Sequence, residues 1–174
     1  MIGKTMTAAR RWRARLTRLP PALCLGAAVV LGGFLSQTGV RAATTELVVV
    51  DHRSGLAIHG YDPVAYFVDG RALQGQDGIE QPFAGAVWRF RNPGNRAAFM
   101  ADPLVYVPCY GGYDPVAVAR GVAAAGDPRL WLIVERRLYL FYDQQARDAF
   151  AAGAEAIAAA ADKHWPALRQ TLSP

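Results

Sequence analysis

This sequence predicts a single α+β domain: a small antiparallel sheet, two short helices and a C-terminal amphipathic helix. Three observations carry that expectation. Residues 130–134 and 138–142 are β-branched and aromatic runs on either side of Glu135-Arg136-Arg137, the pattern of a hairpin. From Gln144 the apolar period becomes helical, with Ala146, Phe150, Ala154, Ile157, Ala161, Trp165 and Leu168 on one stripe. Finally, 174 residues with 52% hydrophobic letters and a single long apolar run suit one ordinary domain, and exclude a disordered chain or a polytopic membrane protein.

Charge divides the chain. Seven of the 19 basic residues (Lys4, Arg10, Arg11, Arg13, Arg15, Arg18 and Arg41) lie within residues 1–42, which carry no acid. The other 12 meet all 14 acidic residues, so the body is at −2 and offers no basic surface for nucleic acid. Residues 1–42 have the parts of an export signal: an arginine-rich start, an apolar stretch over 19–35, and the small-residue end Val40-Arg41-Ala42. Cleavage there leaves a mature periplasmic chain starting at Ala43. The alternative is an uncleaved anchor in the inner membrane with the domain outside the cytoplasm, since 19–35 is near the lower limit for a span, although Pro20, Pro21, Gly26, Gly32 and Gly33 weaken it as a helix. Membrane contact is expected only through that stretch. Cys24 would leave with the leader, so Cys109 has no intramolecular partner.

Residues 43–55 read as an extended linker or strand, 56–168 as the domain and 169–174 as a tail. Glu46 to Asp51 is β-branched. Asp69-Gly70, a turn signal between residues 60–67 and Ala72-Leu73, predicts a first hairpin. Val87 to Phe90 alternates, and predicts a strand with Trp88 and Phe90 inward. Residues 95–100 read as a short helix after Asn92-Pro93, and residues 116–120 as a second, ended by Gly121. Pro166 is expected to end the last helix.

Gly60-Tyr61-Asp62-Pro63-Val64-Ala65 recurs, letter for letter, as Gly112-Tyr113-Asp114-Pro115-Val116-Ala117. In Asp-Pro the carboxylate caps free N–H groups and proline needs no partner, so two similar helical starts explain the recurrence; the flanks differ too much for a solenoid.

Residues 60–67, Trp88-Arg89-Phe90, residues 95–99, Tyr110-Gly111-Gly112-Tyr113, Gly126-Asp127-Pro128 and His164-Trp165-Pro166 resemble the exported branch of the YHS-domain proteins, in order, from about Leu56 to Leu168. The resemblance implies a compact YHS-like domain that binds a small ligand or metal ion, with a transition metal as the admitted cofactor. Metal-binding YHS modules carry cysteines where this chain has Ala65, Arg91 and Arg96. The exported branch carries a cysteine or selenocysteine where this chain has Asp114.

Cys109, Tyr110, Tyr113, Asp114, Tyr61 and Asp62 are the ligand-binding candidates. Two carboxylates and a thiol could face one cleft if both Asp-Pro turns meet there; otherwise each Asp caps its own helix. Cys109 is either a small buried hydrophobe or a reactive thiol, and no basic residue nearer than Arg120 in sequence lowers its pKa. Asp51, His52, His59 and Asp62 lack metal-ligand spacing and read as solvated edge residues. No catalytic residue is assigned: a triad order, phosphate loop and dinucleotide fingerprint are all missing. The expected role is a small exported binding module, with a Cys109-dependent redox protein and a non-catalytic interaction domain as alternatives.

Overall fold

The computed structural model describes residues 46–172; the expected leader, its cleavage point and Cys24 lie outside them. The chain is α+β. It runs α1 (Ala65–Val68), β1 (Glu80–Phe83), β2 (Ala86–Arg89), α2 (Pro93–Ala101), α3 (Pro103–Tyr106), α4 (Pro115–Val118), β3 (Asp127–Val134), β4 (Arg137–Phe141) and α5 (Gln144–Thr171), with 3₁₀ turns at Ile58–Gly60 and Cys109–Gly112. The sheet is divided: β1 pairs with β2 and β3 with β4, both antiparallel.

Four local expectations change. The first hairpin is absent, because residues 65–68 form a helical turn and the chain returns only through an isolated bridge between Tyr61 and Gln74. Its place is taken by β1–β2, whose first strand lies in residues too polar to announce themselves; Arg89 bonds Glu80 at 2.7 and 2.9 Å across the pair. The turn α3 was not anticipated. Pro166 does not end α5, which runs on to Thr171 and into the expected tail; the break falls instead at Gly153, at φ −152° and ψ 44°.

Two aromatic cores result. Trp88, Phe90 and Phe99 lie together in the first, with Phe99 5.4 and 5.1 Å from the other two rings. Tyr139, Phe141 and Phe150 form the second, with Phe150 at 4.6 and 5.3 Å. Strand β4 serves both: Leu138 and Leu140 enter the first core while Tyr139 and Phe141 enter the second, as a strand's alternation requires. Strand β2 has one buried face only, since Arg89 on its other face pairs with Asp77 and Glu80.

The same frame occurs twice. Asp62 N–H donates to Leu73 O and Gly75 N–H to Gly60 O; Asp114 N–H donates to Ala124 O and Gly126 N–H to Gly112 O. A Cβ on Gly75 would lie 2.7 Å from the Arg89 carbonyl carbon and one on Gly126 2.9 Å from that of Leu140, so both positions need the bare backbone. Each unit then continues through a hairpin to a capped helix, where Asn92 accepts from Asn95 N–H and Asp143 from Ala146 N–H, both at 2.8 Å. The six-letter recurrence is therefore the visible part of a longer repeat, from the 3₁₀ turn to the first turns of α2 and α5. Its flanks look different as letters because they match in backbone bonds and ring positions.

Candidate functional site

Both repeated aspartates are structural centres. Asp62 is fully buried: Oδ1 accepts the Val64 N–H at 2.8 Å, and Oδ2 accepts the Arg91 N–H at 2.8 Å and Asn95 Nδ2 at 2.6 Å. Asp114, 2% exposed, receives Val116 N–H at 2.7 Å and Ala117 N–H at 3.4 Å on Oδ1, and Tyr142 N–H at 3.0 Å on Oδ2. Each carboxylate thus ties an Asp-Pro turn to the end of the hairpin that follows it, satisfying donors that would otherwise be buried unpaired. Burial pushes the Asp114 carboxyl above its ordinary value, and Asp143 adds to this against the backbone donors.

These bonds account for the two aspartates separately, one in each unit. Tyr61, half-buried, packs on the first core, while Tyr113 is buried in the second, where its hydroxyl donates to Glu46 O at 2.6 Å. Cys109 and Tyr110 belong to the second unit and to a different cluster. Arg137 Nε donates to Cys109 Sγ at 3.1 Å, and Arg137 Nη2 lies 3.4 Å from Asp162 Oδ1. Tyr110 Oη donates to the same Asp162 oxygen at 2.8 Å. Tyr139 completes the group, its ring 5.6 Å from the guanidinium carbon. Cys109 is partly exposed beside Arg137 and Asp162, whose side chains are about half exposed.

The electrostatics of the cluster follow from its half-burial. Burial raises the Cys109 thiol above its ordinary value, more than Arg137 and Tyr139 lower it. Burial acts against the Arg137 charge, but Cys109 and Asp162 raise the guanidinium above its ordinary value. Burial and the neighbouring thiol push Tyr139 up to about 12. The resting sulfur is thus a neutral thiol with a permanent cation against it. Any negative charge formed there, on a thiolate or on a bound group, meets Arg137 at once.

A metal ion does not fit these residues. Asp62 and Asp114 each already accept three N–H bonds, a guanidinium faces Cys109, and among the described residues no three His, Cys, Asp or Glu side chains gather to hold an ion. His59 lies 3.9 Å from Asp51 and His52 3.8 Å from Glu46, exposed imidazoles beside partly buried carboxylates.

Sequence reasoning missed Arg137, Tyr139 and Asp162. Along the chain no base lies close to Cys109, whereas in space Arg137 arrives from the hairpin. The repeat is the signal that could have found them. Where the second unit has Cys109, Tyr110, Arg137 and Tyr139, the first has Ala57, Ile58, Ala86 and Trp88, all buried in apolar core. No family model, curated protein or solved structure matches this chain. Among the described residues, no helix is long and apolar enough to cross a membrane.

Proposed function

We propose that the protein is a small exported binding module of the YHS kind, which meets its ligand at Cys109 and Arg137 and handles a redox-active ligand rather than a metal. The observation that carries this reading is the 3.1 Å bond from Arg137 Nε to Cys109 Sγ, in a frame whose other copy is purely apolar at the same positions. The thiol is partly exposed and the guanidinium and carboxylate about half exposed, so a ligand from solvent can reach the pair. A thiol beside a fixed cation suits a small anionic disulfide. The Cys109 thiolate attacks one sulfur of that disulfide, the old S–S bond breaks as the new one forms, and the leaving thiolate takes up the proton that Cys109 released. Arg137 would hold the anionic ligand and compensate the thiolate, while Asp162 keeps the guanidinium in place.

The test compares an anionic with a neutral aromatic disulfide on the folded protein, following the mixed disulfide at Cys109 by mass spectrometry. The anionic reagent should react faster by about tenfold, and Arg137→Gln should remove that preference. Equal rates in the parent and in Arg137→Gln would sink the reading.

A further inference from the structure

The second unit holds an opening that the first fills. In the first, Asn95 stands at the third position of α2, and its Nδ2 completes the coordination of Asp62 Oδ2. The third position of α5 is Ala146, too short to reach Asp114. Beside Asp114 lies a cleft of about 370 Å³, between α4 and the start of α5, lined by Asp114, Arg120, Val122, Asp143, Ala146 and Ala149 among others. That volume is at the small end of ligand sites.

Charge indicates what the cleft accepts. At matching positions Arg91 and Asn92 of the first unit become Tyr142 and Asp143 in the second, a change of two units toward negative. Two carboxylates face one guanidinium, Arg120, whose Nε is already donated to Val116 O at 3.1 Å. The remaining walls are alanine and valine, with Tyr142 just before α5 and Gln145 in its first turn. A metal ion is a poor match, because the corresponding place in the first unit is taken by an N–H donor and among the described residues no three His, Cys, Asp or Glu side chains gather to hold an ion, whereas Asp114 Oδ2, which accepts the Tyr142 N–H, can accept one more N–H.

We propose that this cleft binds a small organic cation, a primary ammonium or guanidinium group on a short aliphatic stem, which donates N–H to Asp114 as Asn95 does to Asp62. Asp143 is the second acceptor, and Val116, Val122, Ala146 and Ala149 pack on the stem. The raised pKa of Asp114 agrees with this, since a buried carboxylate gains most from a bound cation. The site is separate from Cys109 and does not depend on the function proposed above.

The experiment titrates the purified protein with n-butylammonium, n-butylguanidinium, neutral butyramide and anionic butyrate, following backbone amide signals of Asp114, Tyr142 and Ala146 by NMR. One or both cations should give saturable shifts there, and the better cation identifies the head group. Ala146→Asn places an amide where Asn95 stands and should weaken that binding at least tenfold while the spectrum stays that of a folded chain. Asp143→Asn keeps the helix cap but removes a charge, and should weaken cation binding several-fold even if Ala146→Asn fails to fold. Cys109→Ser should leave it unchanged. Absence of saturable shifts with either cation, butyramide binding as well as the cations, or undiminished binding in Asp143→Asn or in folded Ala146→Asn would overturn the proposal.

Discussion

The unit built on Asp62 and the unit built on Asp114 use matching hydrogen bonds to hold the same turn, but they close it differently. Asp62 is sealed by Asn95, and the positions around its 3₁₀ turn are Ala57, Ile58, Ala86 and Trp88. Around Asp114, Ala146 leaves a cleft, and the 3₁₀ turn carries Cys109 and Tyr110 against Arg137, Tyr139 and Asp162. Both units keep the turn, the ring triad and the capped helix. Side chains outside that shared frame are free to differ, so the second unit can hold polar groups while the first supplies apolar core.

The largest expected effects test whether the two cores are equivalent. Phe99 and Phe150 are fully buried at the same place in each triad, so Phe99→Ala and Phe150→Ala should each cost ~3–5 kcal/mol in denaturant unfolding. A loss below ~1 kcal/mol at either would break the repeat. Next come the aspartates. Asp62→Ala leaves two buried backbone N–H groups and the Asn95 amide without their acceptor, and should cost about 2–4 kcal/mol; Asp114→Ala should cost less, about 1–3 kcal/mol, because water in the cleft can replace the lost oxygen. The reverse order would mean that the cleft is not open to water.

Smaller effects sharpen the comparison. Asn92→Ala and Asp143→Ala remove equivalent helix caps and should each cost about 0.5–2 kcal/mol. The pH dependence of Asp114 has a definite sign. Its carboxyl is raised in the folded state, so the native chain binds more protons than the unfolded one between the ordinary and the raised value, and this group's contribution to stability falls as pH rises through that window. Comparing the pH profile of parent and Asp114→Asn melting should show that slope only in the parent. At Cys109, alkylation should accelerate with pH and show no plateau below about pH 9, because burial outweighs Arg137. A plateau near neutral pH would instead mark an activated thiolate.

Much of this fold was legible in the letters. Val87 to Phe90 alternates, and Trp88 and Phe90 are buried; residues 130–142 read as a hairpin, and the stripe from Ala146 to Leu168 packs on the second core. Period-2 and period-3.6 patterns are local consequences of burying one face, so they survive in a single sequence. Asp-Pro was likewise readable as a capped helical start at Asp114, whereas Asp62 takes the Val64 N–H in the turn before α1, whose cap is Val64. Strand β1 and the turn at residues 65–68 were not, because their form depends on long-range partners: Arg89 for Glu80 and Leu73 O for Asp62 N–H.

The site divides along the same line. Cys109, Tyr110 and Asp114 stood out by residue type, and the sequence by itself determined that a thiol follows Pro108 beside a glycine pair. Only the tertiary structure decided that Arg137, Tyr139 and Asp162 surround that thiol and that Ala146 leaves Asp114 a cleft. The physical reason is that charge acts through space. A guanidinium 28 residues away along the chain lies 3.1 Å from the sulfur, and the absence of an amide at one helix position becomes visible only when its twin in the other unit is seen to fill it.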